Sequence, residues 1–364
     1  MKQVTVFFLV LVLVLAAAAG LYRLYDNTRS LSEEAAERFL TRWLTNENGT
    51  LATYIQEGGE EDEDEVRGRE ALAETLGLWM EYVYEKDDDE RFDRAYSQFR
   101  RLFLAEDGFV YWKLEEDGTA DVTSNALIDD IRIAGVLMKA AERWDNDYYE
   151  ETAREILTFV ENHNIYDGVL TDFYERRDKY AEDTITLSYI DAALLQDLAE
   201  ADMLSAGPVA ATGALLMDAP LSGPFYPKAY NVERGEYEYD EEVNILDQAL
   251  AALHQAEAGT VSEPFLAFVE TELEERGLMH GMYDLDTAEP VVSYESPAIY
   301  ALLVMYAIEI GETELAETLY ERMEAFQVTR RTSPYYGGYS IHDDNTHIFD
   351  NLLPMLARQQ WEEQ

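Results

Sequence analysis

Residues 125–144 read NALIDDIRIAGVLMKAAERW, an apolar stretch that opens with two adjacent aspartates. Its apolar side chains recur at three- to four-residue spacing, which is typical of a helix. One stripe of this helix contains Asp130, Ile133, Ala134, Leu137 and Ala140. A carboxylate in such a stripe is costly to bury without partners, so the pattern predicts an inner helix with functional groups in its first turn. The alternative is that Asp129 and Asp130 only exploit the favourable helix dipole there.

Helices of this kind recur along the chain. Periodicity predicts twelve helical segments, near 31–45, 68–86, 89–104, 125–143, 147–163, 184–200, 206–217, 241–257, 263–276, 295–310, 312–326 and 345–360. Apolar segments that follow a glycine- or aromatic-rich turn alternate with amphipathic ones, at a repeat of roughly 50–60 residues. Six such pairs predict an all-α fold, an (α/α)6 barrel with six inner and six outer helices. An open solenoid has similar repeats, but polar groups at every inner-helix start favour closure, because they would then converge at one end.

The composition excludes several function classes. The chain carries 75 acidic and 27 basic residues, a formal charge of −48, and no cysteine. A surface of that sign repels phosphate backbones, which argues against nucleic acid as a partner. Salt screens the self-repulsion of such a surface, so the composition predicts a saline habitat. Without cysteine there is no disulfide, no thiolate catalysis and no lipid anchor on an N-terminal Cys.

The N-terminal segment predicts export. Residues 4–22 form an almost unbroken apolar run behind Lys2, long enough to span a bilayer. The alanines at 16–19 offer a signal peptidase site, so a cleaved signal peptide and a membrane anchor both stay open. We therefore assign residues 1–25 to a signal peptide or membrane anchor. Residues 26–364 form the barrel domain, predicted to be a monomer outside the cell or on the outer face of the cytoplasmic membrane.

Residues 126–144 resemble the signature of glycoside hydrolase family 8. The positions in register are Ala126, Asp130, Ile133, Ala134, Leu137, Met138, Ala140 and Trp144. The departures are Leu127 and Ile128 in place of Ser/Thr-Asp, Asp129 in place of a small residue, and Val136 in place of Ser/Ala. These departures place the chain in a divergent branch, similar to hydrolases encoded beside exopolysaccharide synthesis genes.

The resemblance implies catalytic residues at three places. Glu74, in the helix 69–80, falls at the position of the family's general acid, and Asp130 is expected to face it across a sugar-sized groove. Glu295 follows Ser293-Tyr294 and would be the base or a substrate ligand. The alternatives without a catalytic role are that Glu74 is an ordinary surface glutamate and that Glu295 belongs to an ordinary helix start before Pro297. Less specific rim candidates are Asp183, Asp191, Asp247 and Asp350, and the predicted substrate-binding residues are Trp79, Tyr111, Trp112, Asp129, Arg132 and Tyr294.

The predicted function is an endo-acting, inverting hydrolysis of a β-linked polysaccharide, such as an exopolysaccharide or a cellulose-like polymer. A non-catalytic glycan-binding or scaffold protein of a polymer export system is the alternative. A polysaccharide lyase would need a basic groove, which the charge of −48 argues against. The five histidines show no tight metal spacing, so neither a metal nor a cofactor is predicted. The pair His342 and His347, near Asp343, Asp344 and Asp350, is more typical of a solvated helix start than of a cation site.

Overall fold

The computed structural model describes residues 33–58 and 66–364. The predicted signal peptide or anchor at 1–25 and the acidic run at 60–65 lie outside these residues. Within the described part, twelve α-helices occur: α1 (33–43), α2 (Ala73–Glu85), α3 (Asp89–Leu102), α4 (Leu127–Trp144), α5 (Asp147–His163), α6 (Ala192–Glu200), α7 (Ala206–Met217), α8 (Ile245–Glu257), α9 (Glu263–Arg276), α10 (Pro297–Glu309), α11 (Thr313–Glu324) and α12 (Phe349–Glu362). The predicted helical class and number of helices are confirmed. None of the described helices is long and apolar enough to cross a bilayer.

The even-numbered helices contact one another in chain order. α2 packs against α4, α4 against α6, α6 against α8, α8 against α10 and α10 against α12, and α12 packs back against α2. Odd-numbered helices pack outside this series, as α3 does on α2, α5 on α4 and α11 on α10. The sequence explains the two kinds. All residues of α10 from Pro297 to Ala307 are buried, whereas α3 buries only Phe92, Ala95 and Phe99.

Eleven strands of two or three residues each connect the described helices. They are β1 (Ala71–Leu72), β2 (Lys113–Leu114), β3 (Ile165–Tyr166), β4 (Val169–Leu170), β5 (Tyr174–Glu175), β6 (Tyr180–Ala181), β7 (Thr184–Thr186), β8 (Ala229–Asn231), β9 (Glu236–Glu238), β10 (Glu242–Asn244) and β11 (Met282–Asp284). Three inner helices follow a strand that is paired elsewhere in the chain. β1, paired with β2, directly precedes α2, and β10, paired with β11, directly precedes α8. β7, in the sheet β7–β8–β9, precedes α6. These pairings determine where the inner helices begin.

The sixth helix begins later than the periodicity predicts. Residues 184–186 pair with β8, and Leu187–Tyr189 form a 3₁₀ turn before α6 starts at Ala192. The β-branched sequence Thr184-Ile185-Thr186 favours a strand, and the Asp191 carboxylate accepts the Leu194 N–H at 2.9 Å, which caps the helix there. The predicted segment 241–257 is shortened in the same way by β10.

Candidate active site

A cavity of about 340 Å³ lies inside the ring of even-numbered helices. Its lining extends from the first turns of these helices, at Glu74 and Leu246, to their last turns, at Glu85 and Glu257. Ionisable side chains therefore line both ends of the interior, which a purely structural core would not require.

The mouth of the cavity begins at Glu74, in the first turn of α2. Glu74 shares its face of the helix with Leu78, Glu81 and Glu85, and all four line the cavity. The strand β1 sets the start of this helix, because the Ala73 N–H donates to the Trp112 carbonyl at 2.8 Å. The Glu74 side chain stays 31% exposed, so it can reach a molecule in the cavity mouth.

Two residues of α4 lie beside Glu74. The Arg132 guanidinium Nη1 lies 3.5 Å from Glu74 Oε1 and 3.7 Å from Asp129 Oδ1. Asp129 is buried, with one carboxylate oxygen left without a hydrogen-bond partner. One cation thus lies between two carboxylates, and the group carries a net negative charge when both are ionised.

The electrostatics of this group favour a retained proton. Burial raises the pKa of Asp129 well above its usual range, and the charge of Glu74 raises it further. Arg132 and the backbone N–H of Glu74 act in the opposite direction. Burial and the short approach of the two carboxyl groups thus disfavour two adjacent negative charges, which is the kind of environment that helps a general acid to retain its proton.

A second polar group, on the 3₁₀ turn and the first turn of α8, adjoins a separate small pocket that Lys228 and Asp247 line. Asp247 accepts hydrogen bonds from the Lys228 ammonium at 2.6 Å and from the Ser188 hydroxyl at 3.1 Å. Tyr189 lies near both groups, because burial and then the charges of Glu74, Asp172, Asp247 and Asp129 raise its pKa. Carboxylates of α2, α4 and α8 are thus all close to one phenol.

Asp172 is a further carboxylate near Tyr189. It accepts the Thr186 N–H at 2.8 Å and the Thr186 hydroxyl at 2.7 Å. Loss of solvent around the carboxyl group nevertheless raises the pKa of Asp172 to about 6. Sequence reasoning missed Asp172, Tyr189 and Lys228, because none belongs to a motif with diagnostic spacing.

The structure does not bring Asp130 to Glu74. Asp130 is 1% exposed and its Oδ2 accepts the Asn125 Nδ2–H at 2.6 Å, on the side that packs against α5. The cavity is instead lined by Ile128, Arg132 and Val136. At 100° per residue, Asp130 points about 180° away from the cavity-lining face of α4. The stripe that contains Asp130 therefore packs between the inner and the outer helices.

Glu295 is also apart from the cavity. Its carboxylate accepts from Arg322 at 2.6 and 2.9 Å and from the Tyr300 hydroxyl at 2.5 Å. Burial would raise its pKa, but the hydrogen bonds from Arg322 and Tyr300 outweigh burial and lower it. Both oxygens are thus engaged between α10 and α11.

The predicted aromatic residues are dispersed. Trp112 adjoins the start of α2 through its carbonyl, next to Glu74. Tyr111 packs edge-on against Phe109, and Trp79 stacks on Tyr82 at 5.4 Å, facing the groove between α1 and α3. Tyr294 is 53% exposed and its ring covers Gly281.

The remaining candidates are two aspartates that accept hydrogen bonds from nearby side chains and the two histidines near the start of α12. Asp350 accepts from the Ser296 hydroxyl at 2.6 Å, and Asp183 accepts from Asn231. In the described residues, neither His342 nor His347 belongs to a group of three potential metal ligands. Such a group there consists of Asp191, His254 and Glu257.

Comparison with known proteins identifies the family. No family model matches the chain. YdaJ of Bacillus subtilis (strain 168), whose name presents it as a candidate lipoprotein, is 36% identical over 325 residues, which are 89% of this chain and 86% of YdaJ. The chain belongs to the YdaJ family.

Solved structures relate this YdaJ-family chain to glycoside hydrolases. An alpha-amylase from Clostridium perfringens is 25% identical and superposes with a TM-score of 0.82, over 91% of this chain and 98% of the amylase. PssZ from Listeria monocytogenes is 26% identical with a TM-score of 0.72, over 89% and 93% of the two chains. The family 8 endoglucanase Cel10 from Klebsiella pneumoniae shares the fold at 17% identity, with a TM-score of 0.62 over 90% and 99%. The predicted resemblance to a divergent branch of family 8 is confirmed at the level of the fold.

Proposed function

We propose that this YdaJ-family protein is an exported (α/α)6-barrel glycosidase that hydrolyses a polysaccharide in the cavity mouth. The observation that carries the proposal is the contact of Arg132 with both Glu74 and Asp129, at the N-terminal ends of two adjacent inner helices. The ring of contacts from α2 round to α12 and back supports the barrel.

In this proposal Glu74 protonates the leaving oxygen of the glycosidic bond. Cleavage passes through an oxocarbenium-like state, so the acid must supply a proton as the bond breaks. Glu74 and Asp129 share one proton, and Glu74 carries it when the sugar is bound, because the adjacent Asp129 carboxylate disfavours a second negative charge on Glu74. The two carboxyl groups titrate as a pair, and Arg132 stabilises the charge left on Glu74 after the transfer.

Asp247 is the proposed base in place of Glu295. In the order of inner helices α8 lies three places from α2, and the charges of both Asp247 and Glu74 act on Tyr189, which supports a position of Asp247 opposite the proposed acid. Lys228 and Ser188 hold its carboxylate in place, which orients it to activate water. An inverting mechanism requires the two carboxyl groups to be roughly 6.5–9.5 Å apart, with the sugar ring and the water between them. Trp112 and Tyr294 are the proposed stacking surfaces for flanking sugars.

Two linkage classes are candidates. The family 8 resemblance of residues 126–144 favours a β-linked exopolysaccharide or cellulose-like polymer. The alpha-amylase with a TM-score of 0.82 favours an α-linked glucan as the second candidate. The name of YdaJ supports a site outside the cytoplasm, and the apolar run at residues 4–22 is the segment proposed for export or membrane attachment.

The decisive experiment measures release of reducing ends from a panel of α- and β-linked glucans and amino-sugar exopolysaccharides, in a high-salt buffer. Glu74→Gln removes the proton donor while keeping the shape of the side chain, so we expect at least a 100-fold loss of turnover with unchanged circular dichroism. Glu90→Gln, at an exposed residue of α3 paired with Arg94, is the matched control and should retain full activity. Glycan binding without turnover in the unaltered protein would instead support the non-catalytic alternative.

A further inference from the structure

Three potential metal ligands meet where the cavity reaches the last turn of α8. One ligand atom each of Asp191, His254 and Glu257 lies within 4.8 Å of the other two, and all three residues line the cavity. Asp191 precedes α6, whereas His254 and Glu257 are one turn apart near the end of α8. The chain brings these residues together across 63 positions, so spacing alone did not reveal them.

His254 is oriented as a metal ligand would be. The residue is 5% exposed, and its Nδ1 has no hydrogen-bond partner. The ring donates its N–H to the backbone carbonyl of Ser188, which leaves Nδ1 as the unprotonated nitrogen. A histidine that ligates a metal usually donates its other N–H to a carboxylate or a carbonyl in this way.

Asp191 and Glu257 each offer a carboxylate oxygen to this group. Asp191 uses Oδ1 to accept the Leu194 N–H, which leaves Oδ2 for another partner. Glu257 lines the same cavity, near the like charges of Asp191 and Glu309. Lys139 offsets these charges only in part. A divalent ion would neutralise the surplus.

We propose that Asp191, His254 and Glu257 bind a divalent transition metal, with Zn²⁺ the best match, and that the ion ties α6 to α8. One imidazole nitrogen and two carboxylate oxygens are typical zinc ligands, whereas Mg²⁺ and Ca²⁺ prefer sites made of oxygen. Zn–ligand bonds of about 2.0–2.2 Å need only small side-chain rotations to close the observed spacing.

This site adjoins the proposed glycosidase centre through Ser188, whose hydroxyl donates to Asp247 at 3.1 Å and whose carbonyl accepts the N–H of His254. Asp247 and Glu257 are ten residues apart on α8, which corresponds to about 15 Å along the helix. The metal would brace the start of the short helix α6 against the last turns of α8, and the proposal gives it no part in the proton transfers described above.

The test uses the full-length protein, stripped with EDTA and titrated with ZnCl₂ by calorimetry in high NaCl, which suppresses binding to the acidic surface. We expect one tight site per chain, retained zinc after dialysis by elemental analysis, and a rise in Tm on loading. Glu257→Gln and His254→Gln should each weaken this site by about 10-fold or more. Glu309→Gln, which removes a neighbouring charge but no ligand, is the matched control and should keep the site.

Weak binding at many sites, equal in all four proteins, would overturn the proposal. So would equal displacement by Mg²⁺, because that would assign the ion to the surface carboxylates. If His254→Gln does not fold, Glu257→Gln decides the question, since Glu257 lies at the exposed end of α8.

Discussion

Nη1 of Arg132 lies 3.5 Å from Oε1 of Glu74, so that a cation on α4 faces a carboxylate on α2. Arg132 is only 11% exposed, and a buried guanidinium is retained where its charge is matched. The contact joins two adjacent inner helices at the cavity mouth, which makes both residues sensitive to the packing between those helices.

Neighbouring aspartates of α4 should differ sharply in their effect on activity. Asp129→Asn removes the carboxyl group beside Glu74 and Arg132, so we expect at least a 10-fold fall in kcat/KM. Asp130→Asn alters a group between α4 and α5 and should leave kcat/KM within about twofold, because Asn can still accept from Asn125. Steady-state rates of both variants on one active polysaccharide make the comparison. Equal losses would show that the register of the family signature, rather than the geometry, identifies the catalytic residue.

The stability advantage of Asp130→Asn over the unaltered protein should grow as pH rises. Burial raises the pKa of Asp130 well above its ordinary value, so the folded protein keeps a proton that the unfolded chain releases above about pH 4. The free energy of unfolding therefore falls as pH rises between the unfolded and the folded pKa, by up to about 1.4 kcal/mol per unit. Asparagine has no such proton, so its advantage over the unaltered protein should grow from pH 5 to pH 8 in urea denaturation. A constant difference across that range would mean that Asp130 is ionised in the fold.

The helical periodicity and the turns were sufficient to predict twelve helices, since each element carries its own pattern. The site was harder to predict. The spacing of apolar residues placed Glu74 and Arg132 near the inner-helix starts, but Asp130 was assigned to the cavity because both faces of α4 are apolar. One face packs on α5 and the other lines the cavity, and only tertiary contacts distinguish them. Asp172, Lys228 and His254 come from connections and helix ends whose positions depend on long-range packing.

The ion pair between Lys228 and Asp247 should matter through its charge. Lys228→Met leaves the Asp247 carboxylate without the cation that orients it, so we expect kcat/KM to fall by about 10-fold. Lys228→Arg keeps a cation within reach of Asp247 and should retain most of the activity. Full activity of Lys228→Met would exclude Asp247 as the base. The activity of Glu295→Gln would then test the other candidate base.

Gly77 allows α2 and α4 to approach closely enough for Arg132 to reach Glu74. A Cβ atom at residue 77 would lie 3.2 Å from Ile133 Cγ1 and 3.3 Å from Arg132 Cδ, both tighter than ordinary contact. Alanine favours a helix over glycine by up to about 1 kcal/mol, so a purely local effect of Gly77→Ala would be stabilising. Displacement of the Arg132 stem opposes that gain, and we expect little net change in Tm with a several-fold loss of kcat/KM. Gly213→Ala on α7 is the control, because its Cβ would meet only Ala192 Cβ at 3.8 Å. Gly213→Ala should raise Tm at unchanged activity. If Gly77→Ala also raised Tm without loss of activity, the contact of Arg132 with Glu74 would not depend on the close approach of α2 and α4 at Gly77.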